Sequence, residues 1–222
     1  MFDEIFYSEC MKCGIRIDQN RSFCDNCFND FFPVDKRCDR CGYPLRVDAV
    51  FCNNCITTRY YDRLFIPYWY NGNMKIVLKS IKFRYNLKNA AVLDYLVKKR
   101  LFKFDRYDII TAVPSYFFRR FRRFFHPAEY VAKKLSEIFN IKYEYLLERK
   151  KHTEYQWKLK RKNRVENIKN AFSPRKELFD LKILLVDDIM TTGATIQECS
   201  RMLKDAGASK VDCYVLSKGL FR

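Results

Sequence analysis

The sequence contains two neighbouring carboxylates followed by a row of small residues, a combination suited to binding a phosphorylated sugar. Asp187 and Asp188 open the stretch "DDIMTTGAT", and the row after them consists of Thr191, Thr192, Gly193, Ala194 and Thr195. At the start of a helix, the N–H groups and hydroxyls of such a row would hold a phosphate. The carboxylates would accept hydrogen bonds from a sugar diol, with Mg²⁺ moderating their charge. In the alternative interpretation, an aspartate caps the helix and the threonines are ordinary turn residues.

Regular elements on both sides of this row must position it. Residues 182–186 are an apolar run typical of a buried strand, and apolar residues between positions 196 and 206 recur at helical spacing. Gly207 is suited to end that helix, and residues 211–216 predict another strand. The order strand, acidic pair, loop, helix, strand predicts an α/β domain with an anion site where a strand passes into a helix.

Eight of the ten cysteines form four Cys-x-x-Cys pairs that recur every 14 positions. The pairs are Cys10/Cys13, Cys24/Cys27, Cys38/Cys41 and Cys52/Cys55. Two such pairs complete a tetrahedral four-thiolate site for Zn²⁺. The halves "CMKCGIRIDQNRSFCDNC" and "CDRCGYPLRVDAVFCNNC" are similar, which indicates a duplicated zinc ribbon over residues 1–60 with two structural zinc ions. A small module with few aliphatic residues needs such metal sites in order to fold.

The pairing of these cysteines has alternatives. The duplication favours sequential pairing, in which the first two pairs hold one ion and the last two pairs hold the other. An interleaved arrangement would join the first pair with the third. Disulfides and redox motifs fit less well, because four evenly spaced pairs occur in a chain with no evident export signal. Cys199 and Cys213 lie outside the array, and we expect both to be buried apolar residues.

A second unusual stretch, "SYFFRRFRRFFHPAEY" at residues 115–130, interleaves arginines with phenylalanines. This combination is typical of proteins that bind single-stranded nucleic acid, since cations follow the phosphates and bases stack on aromatic rings. The nucleic-acid-binding candidates here and in the following basic segment are Arg119, Arg120, Arg122, Arg123, Lys158, Lys160 and Arg161. Alternatively, the phenylalanines share one face of a helix and belong to the core, which leaves the arginines exposed.

The charge of the chain is unevenly distributed. The formal net charge is +17, yet residues 1–60 carry −1 and residues 61–222 carry +18. A field of that sign attracts nucleic acid and other phosphates. No apolar run approaches about 18 residues, which argues against a transmembrane helix, and the start of the chain lacks the pattern of a signal peptide. We therefore expect a cytoplasmic protein with reduced cysteines.

Motifs along almost the whole chain resemble the ComF family of competence proteins, whose members handle incoming DNA in natural transformation. Branched apolar residues, two acids and Thr-Thr-Gly-x-Thr look like the diphosphoribosyl-binding signature of type I phosphoribosyltransferases. The stretches that agree with the family are "YNGNMKIVLKSIKFR", "YDIITAVPSYFFRRFRR", "RKKHTEYQWKLKRKNRVENIKNAF" and the double cysteine array.

This resemblance implies an α/β fold over residues 61–222, a type I phosphoribosyltransferase-like parallel sheet flanked by helices, preceded by a small Cys₄ zinc-ribbon module. Phosphoribosyl pyrophosphate (PRPP) with Mg²⁺ would bind at residues 187–195. A pyrophosphate loop would follow Pro114, with Arg119 and Arg123 near the ligand. Residues 149–172 would form a loop that closes over the site and excludes water.

One stretch departs from the family pattern. Arg123 is followed by Phe-Phe-His-Pro, where the family tends to have Gly-Phe-Asn-Gln. Because phenylalanine does not readily adopt the positive φ that glycine allows, this departure predicts an altered geometry on the pyrophosphate side. Binding of PRPP is compatible with the change even where turnover is not.

Two functions follow as hypotheses. The first is a zinc-containing, PRPP-binding protein that binds single-stranded DNA and assists its uptake and handling, with a DNA-uptake or helicase protein contacting the zinc module. The alternative is an active enzyme that transfers ribose-5-phosphate from Mg²⁺-bound PRPP to a nitrogen nucleophile and releases pyrophosphate. No residue is assigned a catalytic role in either case. A weaker third hypothesis is an adaptor that senses PRPP and binds a protein partner through its ribbons.

Overall fold

The chain forms ten strands and five helices within the residues that the structure, a computed structural model, describes. These residues are 8–18, 21–38, 43–45, 52, 59–84, 90–114, 125–150 and 168–219. Among them, no helix combines the length and the apolar character that crossing a lipid bilayer would require. The described ranges include the whole acidic-pair loop and all four cysteines of the first ribbon.

The strands and helices follow one another in the order of an α/β protein with a separate N-terminal hairpin. The strands are β1 (Ser8–Glu9), β2 (Arg16–Ile17), β3 (Leu64–Phe65), β4 (Tyr68–Tyr70), β5 (Ile109–Ala112), β6 (Lys142–Tyr143), β7 (Leu147–Arg149), β8 (Phe172–Pro174), β9 (Lys182–Met190) and β10 (Lys210–Gly219). The helices are α1 (Asp25–Phe28), α2 (Gly72–Arg84), α3 (Ala90–Lys99), α4 (Pro127–Phe139) and α5 (Ala194–Asp205).

Six of the strands form one parallel sheet, which confirms the predicted sheet of the α/β fold. The strand order is β3-β10-β9-β5-β6, and β4 also pairs with β10. The central strands are longer than the sequence predicts. β9 runs on to Met190 because β10 pairs with it as far as Lys218. The acidic pair therefore lies inside β9, two residues before its end, and not after the strand.

Both faces of the sheet are covered by helices, and the side chains of β9 alternate between them. Leu184 and Val186 pack in one cluster with α2, α3 and α4. Ile183 and Leu185 pack in a second cluster with α5. A parallel strand buried on both faces is expected to be a nearly continuous apolar run, which explains why this strand is recognisable in the sequence.

The two helices that follow neighbouring strands leave the sheet on opposite faces. α4 follows β5 and contributes Val131 and Leu135 to the first cluster. α5 follows β9 and contributes Ile196 and Leu203 to the second cluster. In open parallel sheets, such a change of face opens a crevice at the carboxyl ends of the two strands, where ligands bind. The acidic pair of β9 is next to this crevice.

The N-terminal cysteine module packs directly on the sheet. The N–H of Val34 donates to the carbonyl of Pro67 at 2.8 Å, and the N–H of Trp69 donates to the carbonyl of Phe32 at 2.9 Å. Phe31 belongs to the same buried cluster as α2 and α3, together with three of the cysteines. Among the described residues, the cysteine module and the sheet therefore share one hydrophobic core.

A buried carboxylate fixes the amino-terminal ends of the strands. Asp212 is fully buried and accepts hydrogen bonds from the Tyr107 hydroxyl at 2.5 Å and from the Arg63 N–H at 2.9 Å. Lys210 Nζ lies 3.3 Å from the same carboxylate. Burial, and then the hydrogen bond to Asp212, raise the pKa of Tyr107. The hydroxyl of Tyr107 therefore remains a hydrogen-bond donor at any physiological pH.

Replacing Tyr107 by phenylalanine is expected to lower the free energy of unfolding by about 1–3 kcal/mol, because the buried carboxylate loses a donor. Urea denaturation followed by circular dichroism measures the change. Tyr95→Phe is the matched control, since Tyr95 is 47% exposed. Equal stabilities of the two variants would show that the Tyr107 hydroxyl contributes nothing to folding.

Candidate phosphate and metal sites

The acidic pair is buried near the carboxyl end of β9. Asp187 and Asp188 are only 9% and 8% exposed. The N–H of Asp188 donates to Oδ1 of Asp187 at 2.8 Å, and the Ser217 hydroxyl donates to the Asp188 carbonyl at 3.0 Å. Because successive side chains of a strand point to opposite faces, Asp188 lies on the face of Val186 and Asp187 lies on the face covered by α5.

The loop after the acidic pair turns directly into a helix. Gly193 has a φ of 87°, and a Cβ atom there would lie 3.0 Å from Cε of Met190, so this position requires glycine. α5 begins at the next residue, and the Thr192 hydroxyl accepts a hydrogen bond from the N–H of Ala194 at 3.3 Å. The first N–H groups of a helix carry partial positive charge and attract anions. The loop thus joins two carboxylates to the positively polarised start of a helix.

Tyr70, at the end of β4, interacts electrostatically with the acidic pair, and sequence reasoning gave it no role. Burial raises the pKa of Tyr70, and the negative charge of Asp188 raises it further. Tyr70 packs against the buried cluster that contains Val186, so it lies on the same face of the sheet as Asp188. The sequence signal was weak, because an aromatic residue before the Asn-Gly turn of "YNGN" is equally typical of a strand end.

Lys218, near the end of β10, is a second residue that sequence reasoning missed. Its side chain is 1% exposed, and Nζ donates to the carbonyl of Thr191 at 2.8 Å. A fully buried lysine is rare unless its charge is satisfied. A lysine at the end of an otherwise apolar strand was the available signal, but its partner is 27 residues away in the chain.

Four cysteines of the first ribbon converge. The sulfur atoms of Cys10, Cys13, Cys24 and Cys27 all lie within 4.8 Å of one another. The Cys27 N–H donates to the Cys24 sulfur at 3.5 Å, at the start of α1. This grouping agrees with sequential pairing of the first two Cys-x-x-Cys pairs.

The thiols of this cluster have the electrostatics of a cation site. Burial opposes ionisation of Cys10, yet backbone hydrogen bonds lower its pKa to about 6. Burial and the neighbouring sulfur atoms raise the pKa of Cys27 to about 12. A soft divalent cation stabilises such a set of crowded sulfur atoms, and four sulfur ligands suit Zn²⁺. The donor set of the first ribbon fits structural zinc.

The second ribbon is described only in part. Cys38 and Cys52 are buried in a common cluster, against which Tyr43 and Leu45 pack. Cys41 and Cys55 lie outside the described residues, so the second zinc site stays a prediction. Cys199 and Cys213, outside the array, are both fully buried, as expected of apolar core residues, and burial raises the pKa of each thiol.

The predicted basic residues lie outside the described part of the chain. They are Arg119, Arg120, Arg122, Arg123, Lys158, Lys160 and Arg161. Phe125 is described, and its ring packs 4.8 Å from the ring of Tyr130 against the core. This contact supports the core interpretation for that phenylalanine. On the other side of the gap, the N–H of Val113 donates to the Val186 carbonyl at 2.8 Å, so the chain enters the basic stretch beside β9.

Two parts of the chain match models of known protein families. Residues 127–220 match the family model of the phosphoribosyl transferase domain, and residues 1–56 match that of the double zinc ribbon domain. The second match and the cysteine cluster together support zinc as a cofactor. The first match contains the whole of β9, the loop after it and α5.

Among curated proteins, Competence protein F of Haemophilus influenzae is 31% identical over 168 residues, which are 71% of this chain and 73% of that protein. The chain belongs to the ComF family of competence proteins. Competence protein ComFC of Streptococcus pneumoniae is 30% identical, over 66% of this chain and 64% of its own. DNA utilization protein YhgH of Salmonella typhimurium is 27% identical, over 68% and 70%. These findings confirm the predicted family and the fold class of this ComF protein.

Proposed function

We propose that this ComF protein binds PRPP with Mg²⁺ at residues 187–195, binds single-stranded DNA, and assists DNA uptake and handling during natural transformation. The observation that carries the proposal is the junction of β9 and α5. Two buried carboxylates and an anion-binding helix terminus occupy nine consecutive residues at a change of helix face. A ligand that has both a sugar diol and phosphates matches both halves of this site.

The acidic pair would recognise the sugar and the metal. Asp187 and Asp188 offer carboxylate oxygens, which are the hard ligands that Mg²⁺ prefers. When bound, Mg²⁺ would neutralise charge on the diphosphate of PRPP. The carboxylates would also accept hydrogen bonds from the vicinal hydroxyls of the ribose. Thr191, Thr192 and Thr195 would donate to the 5-phosphate, with the N–H groups at the start of α5.

DNA would contact the basic residues of the two segments that follow β5 and precede β8 in the chain. The stretch with Arg119, Arg120, Arg122 and Arg123 begins just after Pro114, where β5 ends beside β9. The segment with Lys158, Lys160 and Arg161 precedes β8. Arg119 and Arg123 would also bind the pyrophosphate group of PRPP. A net charge of +18 over residues 61–222 provides the long-range attraction for a polyanion.

We assign residues 1–60 to the double zinc ribbon and residues 61–222 to the phosphoribosyltransferase-like domain. The first part is nearly neutral before zinc binds, so it suits contact with a DNA-uptake or helicase protein better than contact with DNA. We place the protein in the cytoplasm, because eight thiols that serve as metal ligands require a reducing compartment.

Isothermal titration calorimetry with PRPP and Mg²⁺ tests binding, and radiolabelled PRPP with a panel of bases and amines tests turnover. We expect Mg²⁺-dependent binding without base-dependent release of pyrophosphate, because Phe-Phe-His-Pro replaces the family's Gly-Phe-Asn-Gln. Release that depends on a particular base would establish the alternative, an active transferase. Absence of binding in the presence of Mg²⁺ would contradict the proposal.

The affinity for a single-stranded oligonucleotide is expected to fall steeply with salt concentration, since neutralised phosphates release counterions. Changing Arg119, Arg120, Arg122 and Arg123 to alanine should reduce the slope of log affinity against log salt by about 0.7 for each phosphate that the variant no longer neutralises. Fluorescence anisotropy at several salt concentrations measures both. The control changes Lys98 and Lys99, at the end of α3, to alanine. An unchanged slope in the arginine variant would contradict DNA binding by this stretch.

A further inference from the structure

Lys218 is a buried cation directly behind the loop that follows the acidic pair. Its Nζ lies 2.8 Å from the carbonyl oxygen of Thr191 and 3.5 Å from that of Gly219. Lys218 also stands opposite Met190 in the pairing of β10 with β9. The ammonium group thus reaches from one central strand to the loop that begins where the neighbouring strand ends.

The hydrogen bond to Thr191 determines the direction of the next N–H group. A trans peptide is planar, so the carbonyl of Thr191 and the N–H of Thr192 point in opposite directions. Because the Thr191 carbonyl points towards Lys218, the N–H of Thr192 points away from β10. That N–H is one residue before Gly193, in the loop that leads into α5.

The same ammonium group contacts the second zinc ribbon. Lys218 Nζ lies 5.4 Å from the centre of the Tyr43 ring, within the range of a cation–π interaction. The carbonyl of Tyr43 accepts a hydrogen bond from the N–H of Cys38 at 2.8 Å, and Tyr43 packs against Cys38 and Cys52. Tyr43 therefore connects the cysteines of the second ribbon to Lys218, and Lys218 connects to Thr191.

We propose that Lys218 is a positioning residue that orients the anion-binding loop, and that Tyr43 makes this orientation depend on the second zinc ribbon. The inference rests on the proposed function, because it assumes that the loop binds a phosphate. It adds that the zinc module acts on anion affinity through one defined contact chain, from Tyr43 through Lys218 to Thr191.

Lys218→Met tests the proposal by removing the charge and the hydrogen bond while retaining a long apolar side chain. Hydrogen exchange of the amides of residues 190–195, measured by mass spectrometry without ligand, is expected to accelerate in this variant. Affinity for inorganic phosphate and for Mg²⁺-PRPP is expected to fall about 10- to 100-fold, since a hydrogen bond to a charged group is removed. Lys182→Met, an exposed lysine at the start of β9, is the matched control for the loss of charge.

Variants of Tyr43 provide a second test of the proposal. Tyr43→Phe retains the ring and should leave affinity unchanged, whereas Tyr43→Leu should lower it in the unaltered background but not in Lys218→Met, because both changes break one contact chain. Faster exchange throughout the protein in Lys218→Met, or unchanged exchange with unchanged affinity, would overturn the proposal. If the unaltered protein binds neither ligand, the proposed function fails, and the exchange measurement still decides whether Lys218 orients the loop.

Discussion

Replacing Asp187 and Asp188 together by asparagine is expected to weaken Mg²⁺-dependent binding of PRPP by at least about 100-fold. Each carboxylate offers a charged hydrogen-bond acceptor to the ribose hydroxyls or a ligand to Mg²⁺, and one such interaction contributes about 1.5–3 kcal/mol. Asparagine retains the size and one oxygen of aspartate but loses the charge. The double variant should therefore fold normally, and calorimetric titration with PRPP at fixed Mg²⁺ measures the loss.

The control for this experiment is Asp205→Asn. Asp205 is the last residue of α5 and forms an exposed ion pair with Arg201, so its change alters the net charge without touching the loop. Its affinity for PRPP should equal that of the unaltered protein. A double variant that binds as tightly as this control would show that the acidic pair does not contact the ligand. The phosphate could then still bind at α5, but the assignment of a phosphoribosyl group would be wrong.

Removing zinc, or replacing Cys24 by serine, is expected to destabilise the whole chain and not only the ribbons. Cys24 and Cys27 share a buried cluster with residues of α2, α3 and the sheet, and the Asn73 side chain donates to the Cys27 carbonyl. Structural zinc contributes about 10–16 kcal/mol to small zinc-finger peptides. If about 4 kcal/mol of this reaches the shared core, Tm falls by roughly 8–16 °C for a chain of this size. Differential scanning calorimetry measures the change.

The control is Cys199→Ala, which removes a buried thiol of α5 that lies outside the array. This change should cost only about 1 kcal/mol and leave the zinc content at two ions per chain by elemental analysis. A content of one ion in the unaltered protein would contradict the duplicated ribbon. A chelated protein whose sheet melts at the original temperature would show that the module and the sheet are energetically independent.

The parts that the sequence predicts are those encoded by local patterns. The apolar run of β9 identifies a strand buried on both faces, and Thr-Thr-Gly-x-Thr identifies the turn into α5, because only glycine tolerates the φ of Gly193 beside Met190. The four Cys-x-x-Cys pairs indicate a metal site through spacing alone. In each case the physical constraint acts over a few neighbouring residues.

The parts that the sequence does not predict depend on contacts between distant residues. The Lys218 side chain is close to Thr191 only because β10 pairs with β9. The charge of Asp188 acts on the phenol of Tyr70 only because β4 belongs to the same sheet. The extension of β9 through the acidic pair has the same origin. Likewise, the spacing of the cysteines does not indicate that their ribbon shares a core with α2 and α3. Such features follow from strand order, which no local pattern contains.

The contact of residues 32–34 with the outer strand of the sheet has a further consequence. β4 lies beside β10, and its other side would otherwise present free N–H and carbonyl groups to solvent. An open strand edge is a template on which other chains assemble into intermolecular sheets. The segment between the two ribbons covers this edge through the hydrogen bonds of Val34 and Trp69. The cysteine module therefore also shields this edge of the sheet from pairing with other chains.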